Sequence, residues 1–154
     1  MLVLFLFRIA SIIAALKRKG NPFWLIGIPF LIFYRIVVEW LLGIELPPHT
    51  SVGHGLKIEH GHALVINDQS HIGENVTLRH STTIGCKVDR NGVRSRSPRI
   101  ENNVDVGSNV VILGDIQIGH HAVIGAGSVV VRDIPPYAVA VGNPARVIRG
   151  DLHD

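Results

Sequence analysis

Residues 99–131 read RIENNVDVGSNVVILGDIQIGHHAVIGAGSVVV, and in them Ile100, Val106, Ile112, Ile118, Ile124 and Val130 recur at every sixth position. Helical amphipathicity repeats every 3.6 residues and a half-buried strand every two, so neither produces this spacing. A six-residue period predicts a parallel β-helix: three short strands make each triangular coil, and the aliphatics point inward and stack between coils.

The period continues upstream through Val52, Ile58, Leu64, Ile72, Leu78 and Ile84. Two steps are irregular. The step from Leu64 to Ile72 carries two extra residues, and the step from Ile84 to Ile100 carries an inserted loop, residues 86–99. Three repeats per coil give coils beginning at Val52, Ile72, Ile100 and Ile118. Equivalent residues in neighbouring coils then stack about 4.8 Å apart. Two positions after the second aliphatic of each coil come His60, His80, Ser108 and Ala126, which should line one corner of the prism. Two histidines followed by small residues suggest a reacting end and a groove for an extended ligand.

Residues 1–43 are different in kind: MLVLFLFRIASIIAALKRKG followed by NPFWLIGIPFLIFYRIVVEWLLG. They predict two very apolar helices joined near Gly20-Asn21-Pro22. Pro29 should kink the second, and Arg35 and Glu39 interrupt it at i,i+4 spacing, against a clean membrane span. The basic cluster Lys17-Arg18-Lys19 follows the first apolar run and no small-residue cleavage site is present, against a cleaved signal peptide. Two readings remain: the helices pack on the end of the domain or in an oligomer, or they lie in a membrane interface. The expected organisation is an apolar helical segment 1–43, a β-helix 44–135 and a closing loop and tail 136–154.

Composition sets the outer bounds. With 154 residues the chain suits one domain with an appendage. The hydrophobic share is 47% and the charged share 18%, which excludes disorder as the main state. Fifteen basic against twelve acidic residues leave a formal charge of +3, too little for a general nucleic-acid binder. The single cysteine, Cys86, permits no intrachain disulfide and fits a reducing cytoplasm, and no activating base near it in sequence marks it as a nucleophile. Six of the nine histidines fall between His49 and His80, so chemistry is expected there.

The repeats resemble those of the hexapeptide acyltransferases, which implies a left-handed β-helix and a homotrimer with active sites between subunits. The segment IELPPHTSVGHGLKIEHGHALVIN, residues 44–67, resembles the serine acetyltransferase family around its catalytic pair, in which an acidic residue precedes the histidine by fifteen positions. Glu45 and His60 keep that interval, with glutamate where the family usually has aspartate, and Glu59 matches an acidic neighbour of the histidine. The whole chain, with Tyr34-Arg35 and the apolar helices, looks closer to polysaccharide acetyltransferases of the colanic acid type. GAGSVVVRDIPPYAVAVGNPARVIRG, residues 125–150, resembles the last coil and closing loop of serine and galactoside acetyltransferases. The resemblance implies acetyl-coenzyme A as co-substrate, held by Gly85, Ser108 and Ala126 along the groove and by Arg132, Arg146 and Arg149 near its phosphates. Guanidinium suits that task because its planar donors engage phosphate oxygens in pairs. The alternative reading of these arginines is solvated cations near the end of the chain.

Serine acetyltransferases carry a histidine before the proline of the loop that re-enters the β-helix, and it contacts the amino-acid acceptor. In RSRSPRI that position is Ser97. The inserted loop holds Lys87, Arg90, Arg94, Arg96 and Arg99, a basic set suited to a larger anionic or carbohydrate acceptor. Acetyl transfer to a hydroxyl needs a base, a donor for the developing oxyanion and exclusion of water. The expected roles are His60 as general base, Glu45 holding its other ring nitrogen, and Glu59 and His80 binding the acceptor, with direct attack and no acyl-enzyme. His62 is expected as a hydrogen-bonded corner residue. The expected function is O-acetylation of a sugar or glycan precursor in surface polysaccharide synthesis, in the cytoplasm or on the inner face of the membrane. Serine O-acetylation is the alternative and a non-catalytic scaffold a third reading. A γ-type carbonic anhydrase, with zinc on histidines such as His49 and His54, explains neither the Glu45–His60 interval nor the carboxy-terminal motif, and no metal is expected.

Overall fold

The computed structural model describes residues 2–149. Its strands form three parallel sheets, one per side of a triangular solenoid. One sheet holds β1 (Ile44–Glu45), β4 (Leu64–Ile66), β7 (Thr83–Gly85), β10 (Val111–Leu113) and β13 (Val129–Val130). The second holds β2 (Ser51–Val52), β5 (His71–Ile72), β8 (Arg99–Ile100) and β11 (Gln117–Ile118). The third holds β3 (Lys57–Glu59), β6 (Thr77–Arg79), β9 (Asp105–Val106), β12 (Val123–Ile124) and β14 (Val139–Val141), closed by antiparallel β15 (Arg146–Arg149).

The coil register follows the six-residue period. Val52 pairs with Ile72, Ile72 with Ile100 and Ile100 with Ile118, so the expected coil starts lie one above another. These and the other stacked aliphatics, including Leu78, Val106, Ile112, Ile124 and Val130, are buried to within 1% exposure except Val52 and Ile58 in the first coil. One register is corrected. Ile66, not Leu64, is level with Ile84, while Leu64 is level with Ile44 one strand below. The two extra residues therefore lie in the corner before β4, not between Leu64 and Ile72. Both Leu64 and Ile66 are fully buried, so aliphatic content alone could not choose between them.

The apolar amino-terminal segment is helical as expected and breaks where its prolines fall. Helix α1 spans Leu2–Arg18; a 3-10 turn, Pro22–Gly27, is capped by the Asn21 side chain, which accepts from the Phe23 N–H; α2 covers Ile28–Tyr34 and a π-helical turn Arg35–Leu41. Pro29 sits in the first turn of α2, where its missing N–H leaves no helical bond unmade.

The first coil has no coil beneath it, so the backbone carbonyls on its free edge lack sheet donors. Helical side chains supply some of these donors. Arg8 donates to the carbonyl of Val52 at 2.7 Å and also to that of Gly53. Buried Tyr34 donates its hydroxyl to the Leu46 carbonyl at 2.6 Å. At the other end the β14–β15 hairpin closes the stack: Ser128 Oγ accepts from the Gly142 N–H at 3.1 Å and donates to the Gly125 carbonyl at 2.6 Å. The closing segment from 150 onward lies outside the described residues.

Candidate active site

Strands β3 and β6 end in register, Glu59 beside Arg79, and the chain then turns the corner toward the first sheet. In the upper coils this corner is regular. Asn109 N–H donates to the His80 carbonyl at 3.0 Å and Gly127 N–H to the Ser108 carbonyl at 2.9 Å. One left-handed residue makes each of these turns: Ser81, Asn109 and Gly127, at φ +56°, +56° and +72°.

The first coil departs from this pattern because of its two extra residues. Ser81 N–H reaches the carbonyl of His62 at 2.9 Å, and His62 N–H turns back to the carbonyl of His60 at 2.7 Å. The hydrogen-bonded ladder therefore runs through His62, His80 and Ser108, and His60 stands off it on an excursion. His60 itself is left-handed, at φ +53°. That conformation costs a non-glycine residue roughly 1–2 kcal/mol, and the regular corners at Ser81 and Asn109 adopt it as well. Gly61 lets the excursion pack against the core, since a Cβ there would come within 2.4 Å of Ile58 Cγ2 and 2.9 Å of Ile44 Cδ1. His62, expected as a hydrogen-bonded corner residue, bonds through its backbone while its side chain is exposed, and a Cβ on Gly43 would approach its Nδ1 to 3.1 Å.

The His60 and His80 rings lie 6.5 Å apart between centroids, edge to face at 78°. His60 is exposed; His80 is half-buried, and its Nδ1 is shut from solvent with no hydrogen-bond partner. Glu45, on β1, is exposed and forms no hydrogen bond or ion pair among the described residues, His60 included. Ser108 and Ala126 continue the corner above His80, half-buried and exposed respectively. Gly85 ends β7 in the first sheet, level with Leu113. Arg132, Arg146 and Arg149 are exposed and pair with no carboxylate among the described residues; Arg146 bonds only the neighbouring Ala145 carbonyl, at 3.0 Å. Arg146 and Arg149 share β15.

Glu59 is engaged. Its carboxylate accepts from Arg79 Nε at 3.1 Å, and Arg79 also bonds the Asp105 carboxylate and, at 3.0 Å, the Val106 carbonyl. The hydrogen bond to Asp105 is the largest influence holding the Arg79 proton more firmly than usual, against a smaller opposing effect of burial. The coil map contained this pair, since Arg79 lies one coil above Glu59, but the resemblance drew attention only to the acidic member. Ser97 is also committed, its hydroxyl donating to Asn67 Oδ1 at 2.8 Å. His54 faces Glu74 at 3.2 Å, and among the described residues no three His, Cys, Asp or Glu side chains are grouped to hold a metal ion.

The solenoid is of the hexapeptide-repeat kind, and the model of the bacterial transferase hexapeptide family, six repeats long, matches residues 97–132. An Escherichia coli K12 protein assigned to colanic acid biosynthesis as an acetyltransferase, WcaB, is 38% identical over 143 residues, 92% of this chain and 85% of its own length. Soybean serine acetyltransferase complexed with serine superposes with a TM-score of 0.79 at 31% identity, covering 96% of this chain and 56% of that one. The Brucella abortus serine acetyltransferase in complex with coenzyme A gives 0.76 at 28% identity, covering 94% and 54%. The chain thus spans just over half the length of these two serine acetyltransferases. It belongs to the hexapeptide-repeat acetyltransferases, related to the WcaB type and to the serine acetyltransferases, with the left-handed β-helix of that family. It is an acyltransferase.

Proposed function

We propose that the chain transfers acetyl from acetyl-coenzyme A to a hydroxyl of a sugar or glycan precursor, with His60 as general base. The observation that carries the reading is the placement of His60: left-handed, off the ladder and exposed, on the corner that continues through His80 to Ser108 and Ala126. One ring nitrogen takes the acceptor's hydroxyl proton as its oxygen attacks the thioester carbon. The C–O bond forms, the C–S bond breaks, and the proton passes to the departing thiolate. No enzyme nucleophile is needed, so the reaction runs in a ternary complex. Glu45 is the proposed partner of the other nitrogen, stabilising the imidazolium as a carboxylate does in a Ser-His-Asp triad. Glu59 and His80 form the acceptor end. Gly85, Ser108 and Ala126 line the pantetheine path, and Arg132, Arg146 and Arg149 meet the phosphates.

The coenzyme A complex of the Brucella abortus relative supports the donor. The WcaB relative, matched over most of both chains, supports a polysaccharide acceptor. The solved structures favour the second reading, L-serine, one of them holding serine itself. A homotrimer on the cytoplasmic face of the membrane is part of the proposal. The membrane contact is supported by the run Pro22–Leu41, long and apolar enough to cross a membrane by length and composition, and by exposed Phe5, Phe23, Ile26 and Trp40.

The test is coenzyme A release from acetyl-coenzyme A with sugar acceptors and with L-serine, wild type beside His60→Ala. Loss of a general base lowers turnover by about 10²–10⁴, with coenzyme A affinity kept. Undiminished turnover in the variant removes His60 from the role, and strong serine-dependent release from the wild type installs the second reading.

A further inference from the structure

We propose that Arg79 determines acceptor specificity by withdrawing the Glu59 carboxylate from acceptors that carry an ammonium group. The inference rests on the acetyl-transfer reading for its location beside His60, and on observed bonds for its content. Glu59 immediately precedes His60, so its carboxylate is the anion nearest in sequence to the proposed base. An acceptor with both a hydroxyl and an ammonium group, such as an amino acid, is bound better where an anion near the base is unpaired.

Arg79 occupies that anion, holding Glu59 at 3.1 Å through Nε while Nη1 bonds Asp105 and the Val106 carbonyl. Three groups on successive strands β3, β6 and β9 thus form one ionic chain. This ionic chain carries one net negative charge, shared by the two carboxylates that flank the single guanidinium. Arg79 is itself fixed at two further points, so it cannot swing away from Glu59 without giving up its bonds to Asp105 and Val106. An ammonium entering beside His60 would have to compete with a guanidinium already in place. An uncharged hydroxyl needs no such exchange. The basic loop 86–99 adds no anion that could replace Glu59 except Asp89, which is turned inward on its own loop, accepting from the N–H groups of Asn91 and Val93 at 2.8 Å.

The experiment uses the full chain with acetyl-coenzyme A, L-serine and L-serine methyl ester, the ester keeping the ammonium and hydroxyl without the carboxylate. Arg79→Leu frees Glu59 and is expected to lower KM for both compounds by about 5-fold, the upper end for a partly exposed ion pair. Arg79→Lys keeps the positive charge and is expected to stay near the wild-type KM. Adding Glu59→Gln to Arg79→Leu is expected to cancel the gain, which a general loosening of the fold would not do. Circular dichroism and coenzyme A affinity verify that each variant is folded. An unchanged or raised KM in Arg79→Leu, or a gain that survives Glu59→Gln, overturns the proposal. Should no variant release coenzyme A, L-serine binding measured by calorimetry in the presence of coenzyme A decides it. Tighter binding by Arg79→Leu upholds the role of Arg79 and leaves the acetyl-transfer reading to the sugar-acceptor assay, and equal binding overturns the proposal.

Discussion

The backbone N–H of Ser81 donates to the carbonyl of His62 at 2.9 Å, where the strand register below would have paired it with His60. Gly61 and His62 are the additional residues, and removing them leaves Glu59-His60-Ala63-Leu64 aligned with Arg79-His80-Ser81-Thr82. Ala63 is already left-handed at φ +56°, as Ser81 is, so the shortened corner needs no new strain. A variant lacking Gly61 and His62 is expected to fold, with a melting temperature close to that of the wild type. It is expected to lose acetyl transfer by about 100-fold or more, the contribution of a positioned base. Circular dichroism and a coenzyme A release assay check the two halves, and full activity in the shortened protein would show that the excursion has no catalytic purpose.

His80 lies one coil above, with its Nδ1 buried and without a partner, so any bond it offers an acceptor comes from the other ring nitrogen. Replacing it with alanine removes that bond but leaves the base in place. His80→Ala is expected to raise the acceptor KM about 10-fold, the worth of one hydrogen bond, with a smaller change in kcat. Steady-state kinetics read the split. A fall in kcat at constant KM would place His80 in the transition state instead.

The solenoid was legible because stacking forces a fixed aliphatic period, and the spacing of Ile100, Val106, Ile112 and Ile118 leaves one architecture. The place of the two extra residues was not legible. Leu64 and Ile66 both point into the core, two apart on one strand, so either satisfies the hydrophobic pattern, and only backbone pairing separates them. The engagement of Glu59 was hidden for a different reason. Its partner is distant in sequence and becomes a neighbour only through coil stacking, whereas resemblance reports the positions of residues and not which charges are already neutralised.

Tyr34 binds the helical segment to the solenoid through one buried bond, its hydroxyl to the Leu46 carbonyl at 2.6 Å. Burial, with Glu39 adding to it, keeps the phenol protonated well beyond the usual tyrosine range, so the hydroxyl remains a donor at any working pH. Tyr34→Phe leaves the carbonyl unpaired with nearly unchanged packing, a loss of about 1–3 kcal/mol. At this chain length each kcal/mol corresponds to about 2–4 °C of melting temperature. Thermal denaturation is therefore expected to shift down by several degrees; an unchanged transition would mean that apolar packing and the Arg8 bonds hold the helices without help from Tyr34.

His71 faces outward from the second sheet, its Nδ1 3.0 Å from Ser51 Oγ and its neighbour one coil up Arg99. Burial, and then the Arg99 charge, push its pKa below the ordinary value of 6.5. The folded protein therefore binds this proton less readily than the unfolded chain does. The stability this contributes is complete above pH 6.5 and is lost as pH falls through the folded pKa. Between pH 7.5 and pH 5 the melting temperature is expected to decline, and His71→Gln, which cannot take up a proton, is expected to flatten part of the slope. Arg99→Gln removes the repulsion and is expected to move the His71 titration upward in an NMR pH series. A titration that stays put would assign the whole shift to burial, and one at or above the ordinary value would remove His71 from the acid sensitivity altogether.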